Sequence, residues 1–301
     1  MGESSFSFEF KFGGDGVNEA ELACKTQETS TRSAGEVDRP AKNGDSFSWE
    51  EIKVAEGLSL WKACVGAEAT AQITEQKDSD LVPGIYEGGF KLWEGGLDLC
   101  RFLAGKWGVG ENLISSPDHP LDVNFKLHRV LELGCGHGLP GVMALLGGAE
   151  VHFQDFNAEV LTSLTSANVA RNLAQLAPGR RKPMSRFFHG EFGAVADLLC
   201  KNGWGANYDL ILSAETLYNL DSHASLLLAL KQLLKPPAGH AYIASKTHYF
   251  GVGGGTTAFK ALVKKDGVLS CSTVWQVDDG VSNKREILEL TFPPCLHPYF
   301  S

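Results

Sequence analysis

From residue 129 onward, short apolar runs alternate with longer segments whose apolar residues recur at the three- and four-residue spacing of a helix. Five strand–helix repeats of this kind are followed by two strands with no helix between them. This order predicts an α/β fold: a doubly wound, mostly parallel, seven-stranded sheet whose last strand is antiparallel. The predicted strands lie at 129–133, 150–155, 186–188, 208–212, 241–244, 269–276 and 286–292.

The pattern divides the chain into two parts. Its 301 residues suit one or two domains. Residues 81–301 carry the regular alternation and are predicted to form one domain, whereas residues 1–80 are predicted to be a partly disordered N-terminal extension. Within the extension, residues 13–48 have few large apolar side chains, which indicates disorder. Alternating phenylalanines predict a strand over residues 6–12, and a short helix is predicted over 49–63.

The helix after the fourth strand of the sheet has a recognisable start. Leu226, Leu230 and Leu233 recur at helical spacing. Asp221 or Ser222 precedes this run, and short polar side chains of this kind commonly cap a helix N-terminus. The sequence therefore predicts that one of these two residues caps the helix.

Charge and hydropathy exclude some classes of protein. Acidic residues number 36 against 27 Lys and Arg, a formal net charge of -9. A general binder of duplex DNA needs basic surface to displace counterions, so direct nucleic-acid readout is not expected. The most apolar run, 226–234, is far shorter than the ~20 residues of a membrane span, so no membrane contact is expected. Residues 1–6 show no signal-peptide pattern.

Two features bear on metal binding and on the compartment. The seven cysteines are scattered, and none has the spacing of a zinc site, so no metal is predicted. A scattered, odd set suits a reducing compartment. Residues 180–183 (Arg-Arg-Lys-Pro) are either a solvated loop or a nuclear-import signal. We therefore expect a soluble protein that is cytoplasmic and nuclear.

A glycine-rich turn, residues 132–138 (Glu-Leu-Gly-Cys-Gly-His-Gly), follows the first strand of the sheet. Ligands of doubly wound folds bind at the carboxyl ends of the strands, where glycines let the backbone approach closely. Asp155 closes the next strand, 21 residues after Gly134. A carboxylate there can accept hydrogen bonds from both hydroxyls of a ribose. The turn and the acid together predict a nucleoside cofactor.

Two cofactor classes use such a turn. Nicotinamide enzymes use G-x-G-x-x-G, which residues 136–141 match by letters, but this frame leaves Gly134 outside it. The pattern E-x-G-x-G-x-G fits the strand end without a shift, and it is the cofactor loop of S-adenosylmethionine methyltransferases. With Asp155 and the terminal strand pair, it favours a methyltransferase, and a dehydrogenase is a distant alternative.

Beyond the turn, the sequence resembles the histidine protein methyltransferases of the methyltransferase-like 18 type, within the seven-stranded, Rossmann-like class I. The resemblance covers about residues 80–292, and its most telling block is 244–255, which generic methyltransferases lack. The blocks that carry it are 80–94, 131–138, 152–157, 186–192, 208–219 and 244–255.

The resemblance implies an S-adenosyl-L-methionine-dependent protein-histidine N-methyltransferase, with S-adenosyl-L-homocysteine as product. The family's known substrate is one histidine, methylated on the tele nitrogen, of a large-subunit ribosomal protein of the L3 type. A protein partner of that kind, and a monomeric enzyme, are therefore expected.

The resemblance also implies a set of cofactor contacts. Phe192 and Phe156 stand where the family often has Trp and Tyr, and each keeps an aromatic face. Gly95 and Gly96 replace the usual Cys and Thr. The implied contacts are Leu92, Trp93, Glu94, Gly95, Gly96, Glu132, Gly134, Gly136, Gly138, Gln154, Asp155, Phe156, Gly190, Glu191, Phe192 and Ser213.

Methyl transfer to histidine sets what a catalytic residue must do. The leaving group of a sulfonium needs no acid, so placement of the nucleophile matters most. Imidazole, with a pKa of ~6.5, is mostly neutral at pH 7, but an acceptor must fix which ring nitrogen keeps the proton. Glu215 and Asn219, beyond the fourth strand, are predicted to be that acceptor, and Tyr218 to pack on the substrate ring. His248 and Tyr249 are second-tier candidates.

Simpler interpretations stay open at this point. Glu215 can be a helix-capping carboxylate, Tyr218 can be a core residue, and His137 can be incidental to the turn. Two other functions also remain: methylation of lysine, as in sister families that have D-x-x-Y where residues 215–218 are Glu-Thr-Leu-Tyr, and a catalytically inactive binding module.

Overall fold

The computed structural model describes residues 33–37, 47–65, 82, 84–108, 129–179, 182–277 and 284–300. All of them lie within one compact unit, Thr31–Ser301. The strands in this part of the chain are β1 (Gly35–Glu36), β2 (Ser48–Ala55), β3 (Leu58–Cys64), β4 (Arg129–Leu133), β5 (Glu150–Asp155), β6 (Ser185–His189), β7 (Leu210–Ala214), β8 (His240–Lys246), β9 (Ser270–Val277) and β10 (Arg285–Thr291).

A central sheet has the order β1-β6-β5-β4-β7-β8-β10-β9. Strands β4 to β8 are parallel, and β10 lies antiparallel between β8 and β9. The predicted doubly wound, mostly parallel sheet with an antiparallel last strand is confirmed. The two-residue β1 adds an eighth strand, antiparallel to β6, which the sequence did not indicate.

Helices cover both faces of the sheet. Val130 of β4 packs in the apolar cluster that includes the helices Glu94–Trp107 and Leu139–Leu146. Leu131 and Leu133 pack on the other face, in the cluster that includes the helices Phe192–Lys201 and Leu220–Leu233. Burial on both faces explains why the parallel strands are apolar almost throughout. The helices are α1 (Glu94–Trp107), α2 (Leu139–Leu146), α3 (Ala158–Val160), α4 (Ser166–Leu173), α5 (Phe192–Lys201), α6 (Leu220–Leu233) and α7 (Thr256–Asp266), with a π-helical turn (Leu161–Thr165) between α3 and α4 and a 3-10 helix (Pro294–Phe300) near the C-terminus.

The helix predicted over 49–63 is wrong, because this segment forms the antiparallel hairpin of β2 and β3. Leu58 and Leu60 are buried while Ser59 between them is only half-buried, which is the two-residue period of a strand. Gly57 in the turn has a φ of +71°, a conformation that glycine adopts readily.

The hairpin docks on helix α4 through two asparagine side chains. Asn172 accepts from the Trp61 N–H at 2.9 Å and donates to the Trp61 carbonyl at 2.8 Å. Asn168 accepts from the Ala63 N–H at 2.7 Å. The Arg171 guanidinium lies 4.9 Å from the Trp61 ring centroid. The backbone of β3 is therefore satisfied by side chains of a helix instead of a further strand.

Several predictions lie outside the described residues: the strand over 6–12, the basic residues at 180 and 181, and most of the stretch 13–48. The boundary at residue 80 stays a prediction. Across the described ranges, no helix is both long and apolar enough to cross a membrane.

We expect Asn168→Ala to lower the free energy of unfolding by about 2–3 kcal/mol, because the buried Ala63 N–H and the His137 carbonyl would each lose a partner. Urea denaturation measures the change. Asn202→Ala, at an exposed position after α5, is the control and should cost less than ~0.5 kcal/mol. Equal losses in the two variants would contradict the anchoring role.

Candidate functional site

The loops after β4, β5, β6 and β7 meet at one edge of the sheet. Leu133 at the end of β4 pairs with Gln154 of β5 on one side and with Ser213 of β7 on the other. Asp155 pairs with His189 at the end of β6. The structure therefore brings the predicted site residues of four strands to a single edge, as expected for a doubly wound fold.

The glycine turn after β4 has no room for a side chain at Gly134 or Gly136. Gly134 and Gly136 have φ values of +62° and +47°, in the left-handed region that favours glycine. A Cβ on Gly134 would lie 2.4 Å from Cγ2 of Thr216, and one on Gly136 would lie 3.0 Å from the carbonyl oxygen of Gly89. Glycine at these two positions thus lets the turn pack closely against Thr216 and Gly89.

Gln154 ties two of these loops together. Its Oε1 accepts from the Gly134 N–H at 2.8 Å, and its Nε2 donates to the Gly190 carbonyl at 2.7 Å. The side chain is almost fully buried. Gln154 therefore sets the spacing between the loops after β4 and β6, and the prediction that it also contacts cofactor stays a prediction.

Asp155 is buried against the glycine turn. One carboxylate oxygen accepts from the Gly136 N–H at 2.9 Å, and the other accepts from the Asn157 N–H at 3.1 Å. Burial raises the pKa of Asp155 to about 6, although backbone hydrogen bonds from Asn157, Gly136 and Phe156 oppose the shift. A carboxylate has about four lone-pair sites, so these three backbone donors leave about one acceptor site on Asp155 for a further hydrogen bond.

Glu132 lies beside the first turn of helix α2. Its Oε2 accepts from the Gly141 N–H at 2.8 Å, and the residue is 2% exposed. Burial, with a further contribution from Asp155, raises the pKa of Glu132 to about 8. The contact that the structure shows for Glu132 is a support of the helix start.

The predicted residues after β6 and β7 also have local partners. Glu191 caps helix α5, accepting from the Gly193 and Ala194 N–H groups at 3.0 and 3.3 Å. The Ser213 hydroxyl donates to the Leu133 carbonyl at 2.9 Å. Phe192 keeps an aromatic ring at the turn, 4.0 Å from where a Cβ on Gly134 would lie.

Residues 84–96, called the cover segment below, lie across the glycine turn. The imidazole Nε2 of His137 is 3.0 Å from the Phe90 carbonyl, so it carries the proton and donates. Asn168 donates to the His137 carbonyl at 2.9 Å, which links the turn to the hairpin's anchor. Burial lowers the pKa of His137 to about 4, so the ring is neutral. His137 therefore binds the cover segment to the turn, a role that the sequence pattern did not reveal.

The predicted cofactor residues of the cover segment begin helix α1. The Trp93 indole donates to the Gly88 carbonyl at 3.1 Å, and half-buried Leu92 packs on the apolar cluster of α1. Glu94 is exposed and pairs with Lys246 at 3.2 Å. Gly95, in the first turn, presents its N–H to the loop after β7.

The predicted catalytic residues are close to this segment, but two of them are engaged in caps. Glu215 has a φ of +57°, and its Oε1 accepts from the Gly95 N–H at 3.0 Å while its Oε2 accepts from the Tyr249 hydroxyl. Asn219 caps helix α6, accepting from the Asp221 N–H at 3.0 Å. The predicted caps, Asp221 and Ser222, are therefore wrong, because the chain enters the helix two residues earlier.

Glu87 is the acidic residue of the site that sequence reasoning missed. Its carboxylate accepts from the Tyr218 hydroxyl and, at 2.7 Å, from the Gly84 N–H. Burial raises the pKa of Glu87. It stands in one of the resembling blocks, yet nothing in its spacing pointed to the loop after β7. Among the described residues there is no cluster that could hold a metal ion.

Comparisons with known proteins agree with this geometry. A family model described as lysine methyltransferase matches residues 83–251. The chain is 41% identical over 213 residues to "Histidine protein methyltransferase 1 homolog" of Dictyostelium discoideum, covering 71% of this chain and 60% of that protein. It is 37% identical over 232 residues to the Mus musculus protein of the same name, covering 71% of this chain and 59% of that one.

The resemblance stated from the sequence is confirmed by these relatives, although the chain spans only about 60% of their length. Among solved structures, "SAM Dependent Methyltransferase from Agrobacterium tumefaciens" superposes with a TM-score of 0.48 and 13% identity, covering 83% of this chain and 72% of that one.

We expect Gly134→Ala to lower the free energy of unfolding by about 2–4 kcal/mol, through left-handed strain and the clash with Cγ2 of Thr216. In a Thr216→Ser background, which lacks that methyl group, the loss should fall to about 1–2 kcal/mol.

Gly148→Ala is the matched control for this test, because Gly148 has a φ of +95° and no atom within 4 Å of the Cβ position. Gly148→Ala should lower the free energy of unfolding only through the left-handed backbone strain, without a clash. Urea denaturation of Gly134→Ala, Thr216→Ser, the double variant and Gly148→Ala measures the cost of the backbone strain and the cost of the clash. An equal loss of stability from Gly134→Ala in the wild-type and Thr216→Ser backgrounds would contradict the proposed clash.

Proposed function

We propose that this chain, which belongs to the family whose model is described as lysine methyltransferase, is an S-adenosyl-L-methionine-dependent protein-histidine N-methyltransferase. The observation that carries the methyltransferase part is the glycine turn of β4 hydrogen-bonded to the buried carboxylate of Asp155. The histidine part is supported by relatives named histidine protein methyltransferase 1 homolog, 41% and 37% identical.

The residues at the sheet edge fit S-adenosyl-L-methionine, which supplies a methyl group made electrophilic by its sulfonium. Asp155 would bind the ribose through the acceptor site that its three backbone donors leave free. The Gly134 turn has the bare backbone needed beside the methionine part, near Ser213. Phe156 and Phe192 offer aromatic faces to the adenine.

The chain's own residues place the nucleophile and exclude water. The cover segment, held down by His137 and by Glu215, closes one side of the crevice. An imidazole is largely neutral at pH 7 and needs no strong base before it attacks. Tyr218, half-buried beside the cover segment, is placed to contact the substrate ring. Glu215 and Asn219 act in this proposal mainly by fixing the helices that border the site.

The protein substrate is proposed to be a large-subunit ribosomal protein of the L3 type, modified on the tele nitrogen of one histidine. Ribosomal proteins bind RNA with basic surfaces, and the net charge of -9 suits a basic partner. We propose that the enzyme is a monomer that works in the cytoplasm and nucleus.

A second candidate is methylation of lysine on another protein. It is favoured by the description of the matched family and by residues 215–218, which stand where sister lysine methyltransferases have D-x-x-Y. A third, a binding module without turnover, keeps the same cofactor contacts.

One experiment separates the three functions. The purified chain is incubated with methyl-labelled S-adenosyl-L-methionine and ribosomal proteins, and the product is hydrolysed in acid to identify the methylated amino acid. Labelled methylhistidine supports the proposal, and labelled methyllysine supports the second candidate. Cofactor binding without any labelled product leaves the binding module.

We expect cofactor affinity to fall as the pH drops below about 6, where Asp155 becomes protonated and loses acceptor sites for the ribose hydroxyls. Because the folded-state pKa is raised, Asp155 stabilises the cofactor-free protein most below pH ~4, and that stability is lost as the pH rises through 6. Asp155→Asn should weaken binding by roughly 10–100-fold and remove the pH dependence.

Isothermal titration calorimetry between pH 5 and 8 measures the Kd of S-adenosyl-L-methionine for the wild type and for each variant. Asp197→Asn, on the exposed face of α5, should bind like the wild type at every pH. A wild-type affinity that does not change across this range would contradict the assignment of Asp155 to the ribose.

A further inference from the structure

Two carboxylate–phenol pairs stand side by side between the cover segment and the loops after β7 and β8. Tyr218 donates to Glu87, and Tyr249 donates to Glu215. The two phenol rings meet edge to face, with their centroids 6.4 Å apart. Three separate segments of the chain thus converge on one spot beside the proposed methyl-transfer site.

The Glu215 pair is a support of the scaffold. Glu215 is 7% exposed, and one of its oxygens is taken by the N-terminal turn of helix α1. Tyr249 is held in turn by Ser245, whose hydroxyl is 2.7 Å from the phenol oxygen. A carboxylate buried in this way fixes α1 against the loop after β7 and is poorly placed to receive a substrate.

The Glu87 pair is more open. Glu87 is half-buried, and its backbone N–H donates to Oδ1 of Asn157 at 3.2 Å. Nδ2 of Asn157 in turn donates to the Ile85 carbonyl at 2.8 Å. Its carboxylate lies near enough to raise the pKa of Asp155. It therefore stands between the proposed cofactor acid and Tyr218, with acceptor sites left beyond those that Tyr218 and Gly84 occupy.

We propose that Glu87 is a catalytic residue that accepts the pros N–H of the substrate imidazole, with Tyr218 as the positioning residue that orients its carboxylate. This inference rests on the proposed histidine methylation. It assigns the tautomer-fixing acceptor to the cover segment, in place of Glu215 or Asn219. Of the two neutral tautomers, only the one with its proton on the pros nitrogen has a bare tele nitrogen for attack.

The transfer step balances with Glu87 in this role. The lone pair of the tele nitrogen forms a bond to the methyl carbon as the carbon–sulfur bond breaks, and the sulfonium becomes a neutral thioether. The positive charge passes to the ring, now a methylimidazolium. Its pros proton then moves to the Glu87 carboxylate and from there to solvent. Burial raises the pKa of Glu87, which suits a group that takes up a proton.

The ratio of the two ring isomers in the product tests the proposal. The full chain and its Glu87→Gln variant are incubated with an L3-type ribosomal protein and S-adenosyl-L-methionine, and tele- and pros-methylhistidine are separated after acid hydrolysis. We expect the wild type to give the tele isomer alone. Glu87→Gln should lower kcat by roughly 10–100-fold and yield a measurable pros isomer, with cofactor affinity unchanged within about twofold.

Tyr218→Phe and Glu51→Gln complete the test. Tyr218→Phe keeps the Glu87 carboxylate but removes the hydroxyl that orients it. We therefore expect a smaller share of the pros isomer and a smaller loss of kcat than in Glu87→Gln. Glu51→Gln, the same chemical change on an exposed position of β2, should leave both unchanged. If Glu87→Gln fails to bind cofactor or to unfold cooperatively, the isomer ratio and the kcat of Tyr218→Phe are used to test the proposal instead.

The outcomes separate this inference from the function on which it rests. Suppose that the wild type forms methylhistidine and that Glu87→Gln, or Tyr218→Phe where it replaces Glu87→Gln, gives only the tele isomer with near-normal kcat. This result would overturn the role of Glu87 and leave the proposed function standing. Absence of methylhistidine from the wild-type reaction would overturn the proposed function itself. A loss of kcat with an unchanged isomer ratio would indicate a structural role and would also overturn the inference.

Discussion

The contact between the bare glycine turn and the carboxylate of Asp155 is the constraint on which the site depends. The Gly136 N–H reaches Asp155 because position 136 carries no side chain and the two strands lie parallel and in register. Burying a carboxylate is costly unless hydrogen bonds offset the desolvation, and backbone donors do so here. The raised pKa of Asp155 shows that the compensation is partial. A ligand that donates further hydrogen bonds would complete it.

A second set of polar contacts extends from that turn to the N-terminal hairpin. His137 holds the cover segment, Asn168 holds His137, and the backbone of β3 donates to Asn168. Each of these groups is buried, so each is stable only while its partners are in place. The hairpin of β2 and β3 is therefore linked through buried hydrogen bonds to the cover segment that borders the proposed site.

Much of the fold follows from local patterns. The strands from Arg129 to Thr291 were predicted within about two residues, because burial on both faces makes most of the parallel strands apolar. The hairpin over 49–63 was mistaken for a helix, since the backbone of its second strand is hydrogen-bonded by Asn168 and Asn172 of a helix more than 100 positions away in the sequence. The cap of α6 was missed because Asn219 belongs to the site loop as much as to the helix.

The sequence alone determined the parallel sheet, the glycine turn, the acid that ends the next strand and the kind of cofactor they suit, because each depends on residues close together in the chain. Only the tertiary structure decided which side chains share the crevice. Glu87 meets Tyr218 across 131 positions, and Glu215 meets Gly95 across 120. Hydrogen bonds between such distant residues leave no periodic trace in a single sequence, so the pairing of carboxylates with phenols became visible only when the segments were brought together.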